Sequence, residues 1–111
     1  MNVSKRIEIE KRIVKTLVKC LLDKEYLLSV VDDCTILEFG YNENLICATT
    51  EDLEECDLKV FSSTTEGHLK HKGSVNLVFG NDGWGVIANY DWCLEDDIRP
   101  ALELAKSLEN G

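Results

Sequence analysis

The chain has 111 residues, a formal net charge of −9 and an apolar fraction of 44% with 30% charged residues. Those values fit one ordinary globular domain spanning residues 1–111 and exclude a disordered or low-complexity chain. The five cysteines (Cys20, Cys34, Cys47, Cys56, Cys93) are odd in number and contain no C-x-x-C pair, so reduced thiols and a cytoplasmic setting are expected. No apolar run approaches the ~18 residues of a membrane span, and the N-terminus runs straight into a charged helical pattern.

Charge is unevenly distributed. Residues 1–25 carry seven Lys/Arg against four Asp/Glu, whereas residues 26–111 carry five against seventeen. A body of that sign should repel nucleic-acid phosphates and anionic lipid and attract basic protein surfaces. No direct nucleic-acid partner and no membrane partner is therefore expected.

The first predicted element is a helix of about five turns. Ile7, Val14, Leu17, Val18, Leu21 and Leu22 recur at three- and four-residue spacing, with Ile9 and Ile13 off the main stripe and Ser4 as a candidate cap. Its cations (Lys5, Arg6, Lys11, Arg12, Lys15, Lys19, Lys24) are interrupted by Glu8 and Glu10, as on a solvated helix face. A hairpin follows, with Tyr26–Val31 and Thr35–Gly40 as strands around Asp32-Asp33. Residues 44–56 read as strand or short helix; Asn42 as a cap favours helix.

Asp57–Ser63 and Ser74–Phe79 are predicted strands joined by a connection at Thr64–Gly73. Gly80-Asn81-Asp82-Gly83 reads as a tight hairpin turn leading into a strand at Trp84–Tyr90. The glycines there do not make a phosphate loop, because no Lys and no helix follow. The last element, Glu95–Leu108, is a helix with Glu95, Asp96 and Asp97 at its positive end and an expected kink at Pro100.

This order predicts an α+β fold: an antiparallel sheet of about five strands with long N- and C-terminal helices packed on it. Alternation assigns Val75, Leu77, Phe79, Trp84, Val86, Ala88 and Tyr90 to the helix-covered face. Phe61, Val78 and Ile87 would then share the opposite face with Lys59, Asn76, Asn89 and Asp91. Both long helices on one side would expose that patch to a partner; helices on opposite sides would make it core.

The chemical constellations are sparse. His68 and His71 supply two metal ligands at best, with Cys56 joining only if folding brings it there, and no cofactor is implied. No Ser or Cys stands in a recognisable nucleophile context, so an enzyme is not the first expectation. Trp84, Tyr90 and Trp92 are expected to pack in the core, since a base-stacking role would need a positive groove. The carboxylates Glu51, Asp52, Glu54, Glu55, Asp57, Asp91, Glu95, Asp96 and Asp97 form two runs suited to docking a basic partner.

The run from Gly73 to Tyr90 (GSVNLVFGNDGWGVIANY), followed by Leu94-Glu95 and Pro100-Ala101, resembles a group of small uncharacterised proteins of bacteriophages and bacterial mobile elements. The likeness extends from Asp57 to Ala105. Asn89-Tyr90 stands where the pattern has Asp-Tyr or Asp-His, and Gly85 where it has Asp. The resemblance implies a phage-type origin, and hence a bacterial host cytoplasm, but no catalytic residue. Together with the charge it leads to a non-catalytic acidic protein that inhibits a basic, nucleic-acid-binding host defence complex by stoichiometric association, as anti-CRISPR proteins and DNA mimics do. The alternatives are a small enzyme or metal-binding protein using His68 and His71, or a homo-oligomer, such as a homodimer.

Overall fold

The computed structural model describes residues 2–111. In chain order its elements are α1 (Val3–Leu22), β1 (Leu27–Asp32), β2 (Thr35–Gly40), α2 (Glu43–Glu51), β3 (Glu55–Ser63), β4 (Leu69–Val78), β5 (Ile87–Tyr90), a 3-10 turn (Trp92–Leu94) and α3 (Glu95–Asn110). The five strands form one sheet in the order β2-β1-β3-β4-β5, with every neighbouring pair antiparallel. The α+β architecture expected from the element order is the one observed.

All three helices pack on one face of the sheet. Leu28 and Val30 of β1, Cys56, Leu58 and Val60 of β3, and Val75 and Leu77 of β4 point to that side. They share a single core with α1, Ile46 of α2, and Ile98 and Ala101 of α3. Ile13, Leu17 and Leu21 are fully buried, each contributing roughly 1.5–3 kcal/mol of apolar transfer. The alternate residues of β3, Asp57, Lys59 and Phe61, therefore look out from a face that no helix covers. Of the two arrangements open from sequence, the structure has the exposed one.

Several boundaries differ from expectation. The buried stripe of α1 runs through Ile9, Ile13, Val14, Leu17, Val18 and Leu21, while Ile7 is 38% exposed. Asn2 caps the helix, its Oδ1 accepting the Lys5 N–H at 2.8 Å, and Ser4 already lies inside it. Residues 43–51 form α2, capped by Asn42 through the Leu45 N–H at 3.0 Å. α3 runs unbroken through Pro100. The proline leaves unused only the Asp96 carbonyl, one turn back near an exposed helix start.

The predicted connection at Thr64–Gly73 shrinks to a tight turn, because Leu69–His71 pair with Phe61–Ser63 and Gly73 pairs with Val60, Lys72 standing in the register shift between them. Thr64 closes the turn: its N–H donates to the His68 carbonyl at 2.8 Å and its Oγ1 accepts the His68 N–H at 3.1 Å. In the opposite sense, Gly80–Gly83 is not a tight hairpin turn but part of a wider loop. That loop is closed by the Val78 N–H donating to the Val86 carbonyl at 2.9 Å and braced by Asp82 accepting the Gly85 N–H at 2.8 Å. Trp84 lies in this loop rather than in β5. A register shift between Asn76 and Leu77 leaves Ala88 unpaired and sets Ile87 opposite Leu77. Ile87 consequently packs against the core and leaves the open face, while Ala88 is exposed.

Candidate partner-binding surface

The first acidic run begins on the helix side and ends on the open face. Glu51, the last residue of α2, lies 3.9 Å from Lys11 in a half-exposed pair of the kind worth ~0–1 kcal/mol. Glu55 and Asp57 belong to β3 and share one neutral donor, the Asn76 side-chain amide, at 3.2 and 3.0 Å. That amide holds two carboxylates side by side without cancelling either charge. Asp52 and Glu54 are exposed and form no ion pair among the described residues.

The second run surrounds the start of α3. Asp91 Oδ2 accepts the Ser74 N–H at 2.7 Å, two residues along β4 from Asn76, so Asp91 joins Glu55 and Asp57 at this strand. Gly73 makes room for it, since a Cβ there would stand 3.1 Å from the Asp91 side chain and from Leu94. Glu95 accepts from the Tyr90 hydroxyl at 3.3 Å, and Asp96 pairs with Arg99 one turn on. Asp97 is committed to structure: Lys24 lies 3.0 Å away and the Tyr26 hydroxyl donates to it at 3.0 Å. Hydrogen bonding to Asp97 holds the Lys24 ammonium above its ordinary pKa, and burial, with Asp97 behind it, raises the Tyr26 phenol.

Of the nine carboxylates, Glu51, Asp96 and Asp97 have cationic partners. The other six (Asp52, Glu54, Glu55, Asp57, Asp91 and Glu95) have none among the described residues. Cations near the first helix therefore neutralise two of the set, through Lys11 and Lys24, and leave most of the negative potential in place.

Trp92 overturns its expected burial. It is 86% exposed, while Trp84 and Tyr90 are half-buried against the core. The turn that carries it is fixed on both sides. Leu94 is fully buried, its N–H donates to the Asp91 carbonyl at 2.9 Å, and the Cys93 thiol donates to the Lys72 carbonyl at 3.1 Å. An indole is thus held out to solvent between Asp91 and Glu95. Sequence reasoning missed it because an aromatic beside a strand end reads as core; the flanking Asp91, Glu95 and Asp96 were the available signal.

Three of the five Lys and Arg residues of the acidic half, Lys59, Lys70 and Lys72, belong to the β3–β4 hairpin together with His68 and His71, while Arg99 and Lys106 lie on α3. On the open face His71 stacks against Phe61 (centroids 5.3 Å apart), Phe61 meets Phe39 edge-on at 5.8 Å, and His71 Nε2 lies 3.2 Å from Ser74 Oγ. His71 is thus on the open face while Cys56 is buried on the helix side, so folding does not bring the cysteine suggested by sequence to the histidines. Among the described residues no three His, Cys, Asp or Glu side chains are grouped to hold a metal ion. Burial raises the Cys47 thiol to about 11 and the Cys56 thiol to about 12, the reverse of an activated nucleophile.

A cleft of about 570 Å³ lies between the start of α1, the end of α2 and the strands, lined by Arg6, Glu10, Lys11, Glu51, Glu54 and Phe79 among others. Its floor holds Glu10, which is buried despite its charge. Glu10 Oε2 accepts the Gly80 N–H at 2.8 Å and Oε1 lies 3.8 Å from Arg6 Nε. In sequence Glu10 looks like one more charge on a solvated helix face, and nothing local marks it as buried.

No helix is long and apolar enough to cross a membrane among the described residues. Comparison with known proteins finds no matching family model, no matching curated protein and no matching solved structure.

Proposed function

We propose that this chain is a non-catalytic binding protein that associates stoichiometrically with a basic protein surface through the corner formed by Asp91, Trp92, Glu95 and Asp96. The observation that carries this reading is the exposure of Trp92 on a rigid turn between unpaired carboxylates. Tryptophan is, with Tyr and Arg, enriched at the energetic centre of protein interfaces, and its ring face attracts Lys and Arg side chains. Carboxylates around it would steer a basic partner and set orientation, while the indole would supply the desolvated contact. Glu55 and Asp57 extend the same negative field along the sheet.

The finer form of the proposal follows the phage-type resemblance. The partner is then a host defence protein whose basic surface normally takes nucleic-acid phosphates, and the carboxylates occupy that surface as a decoy. Capture from a bacterial lysate at low salt tests it. The expected retained protein is basic, and it is released at ~1 M salt, where the screening length is about 3 Å. Retention that is indifferent to salt, to Trp92→Ala and to Glu95→Lys with Asp96→Lys contradicts the reading.

A further inference from the structure

The open face of the sheet is itself divided by charge. Asp57 and Lys59 are two residues apart on β3, the central strand, and project from the same side. Glu55 and Asp57 lie toward one end of the strand, whereas Lys59, Phe61 and His71 lie toward the other. Lys59 is half-buried between Ser29 of β1 and Ser74 of β4, and no carboxylate pairs with it among the described residues. Asp57 and Lys59 are thus opposite charges on one face, each without an ionic partner among the described residues.

Ser29, Ser74 and Asn76 flank this pair, and apolar side chains lie beyond them: Ile36 is 66% exposed and Phe39 42%, with Phe61, Val78 and the buried Val31 on the same side. We infer that two copies of this chain associate through these faces, related by a two-fold axis that lies between the sheets and perpendicular to their strands. That operation lays each β3 antiparallel over its mate and sets Asp57 of one copy over Lys59 of the other, twice. It also brings the Glu55 end of each copy over the Phe61–His71 end of the second. The face is self-complementary, as an isologous dimer requires. Strand spacings of ~4.8 Å and a rise of ~3.3 Å per residue make the face roughly 20 Å on a side. Overlaying two such faces removes on the order of 1,000 Å² from water, at the lower bound for a specific interface, so the dimer is weak and salt-sensitive. Trp92 lies past the end of edge strand β5, away from this face, so Trp92→Ala separates partner binding from self-association, whereas Asp57 serves both.

The test is sedimentation equilibrium on the purified full chain from about 10 to 500 µM, a range that detects the micromolar to sub-millimolar affinity expected of so small an interface. At low salt the wild type shifts from monomer toward dimer across the range. Asp57→Lys and Lys59→Asp, each of which sets like charges face to face, weaken association at least tenfold, and the double swap Asp57→Lys/Lys59→Asp restores it. Circular dichroism confirms that each variant is folded. A wild type that stays monomeric throughout, or single reversals that leave the association unchanged, overturns the inference. So does a double swap that fails to rescue.

Discussion

Glu10 on the first helix and Gly80 in the loop after β4 are joined by a 2.8 Å hydrogen bond from the Gly80 N–H to the buried Glu10 carboxylate, across seventy residues of sequence. The bond anchors a loop with little regular structure, and Arg6 beside it offsets the buried charge.

Removing the acceptor takes the protein partner from the N–H of exposed Gly80, which water can replace, and leaves Arg6 without its counter-charge. Glu10→Ala should therefore destabilise by roughly 1.5–3 kcal/mol, the range for a hydrogen bond to a charged group. Glu10→Gln keeps an acceptor for Gly80 and should lose about half of that. Urea denaturation midpoints of the two variants check the order.

Gly73 and Asp91 form a second lock. A methyl group at position 73 would stand 3.1 Å from Asp91 and Leu94, and Asp91 is the side chain that accepts the Ser74 N–H. Gly73→Ala is expected to cost about 1–3 kcal/mol through overpacking. It should also loosen the turn carrying Trp92, read as a change in tryptophan fluorescence before global unfolding.

Buried thiols predict alkaline instability. Cys56 is raised from 9.0 to about 12 and Cys47 from 9.0 to about 11, both chiefly by burial. Above pH ~9 the unfolded chain releases these protons while the folded chain retains them, so stability falls with rising pH between about 9 and 12. Lys24, whose pKa is raised by Asp97, acts in the same direction. Cys56→Ala should flatten the pH dependence of the melting temperature in that window. Thiol labelling of the native protein at pH 8 should modify exposed Cys34 and Cys93 well before buried Cys56.

Much of the fold was legible because its signals are local. Asp33 takes a positive φ of 58° in the β1–β2 turn, as the Asp-Asp pair suggested, and β2 runs from Thr35 to Gly40 as expected. Asn42 marks α2 by the hydrogen bond its side chain makes. What escaped depends on partners distant in sequence. Two interleaved apolar series run through α1; Ile9 and Ile13 both enter the core, and the loop at Gly83 approaches Ile9 to where a Cβ would meet it at 3.2 Å. Lys70 and His71 carry no apolar alternation, and only pairing with Ser62 and Phe61 makes them strand.

The candidate surface was legible as a set of charges but not as an arrangement. Sequence could list nine carboxylates without showing that Asp97 is tied to Lys24 and Tyr26, or that Asn76 holds Glu55 and Asp57 together. Trp92 is the sharper case: neighbours one and two residues away decide its exposure, Leu94 by entering the core and Asp91 by bonding β4.

The most direct test of the central reading is the affinity of the captured basic protein for the wild type and for Trp92→Ala, each titrated at several salt concentrations. Wild-type affinity should fall steeply with salt, and Trp92→Ala should weaken binding roughly thirtyfold, equivalent to about 2 kcal/mol at an interface centre. An affinity unchanged by the substitution and flat across the salt series would contradict that reading.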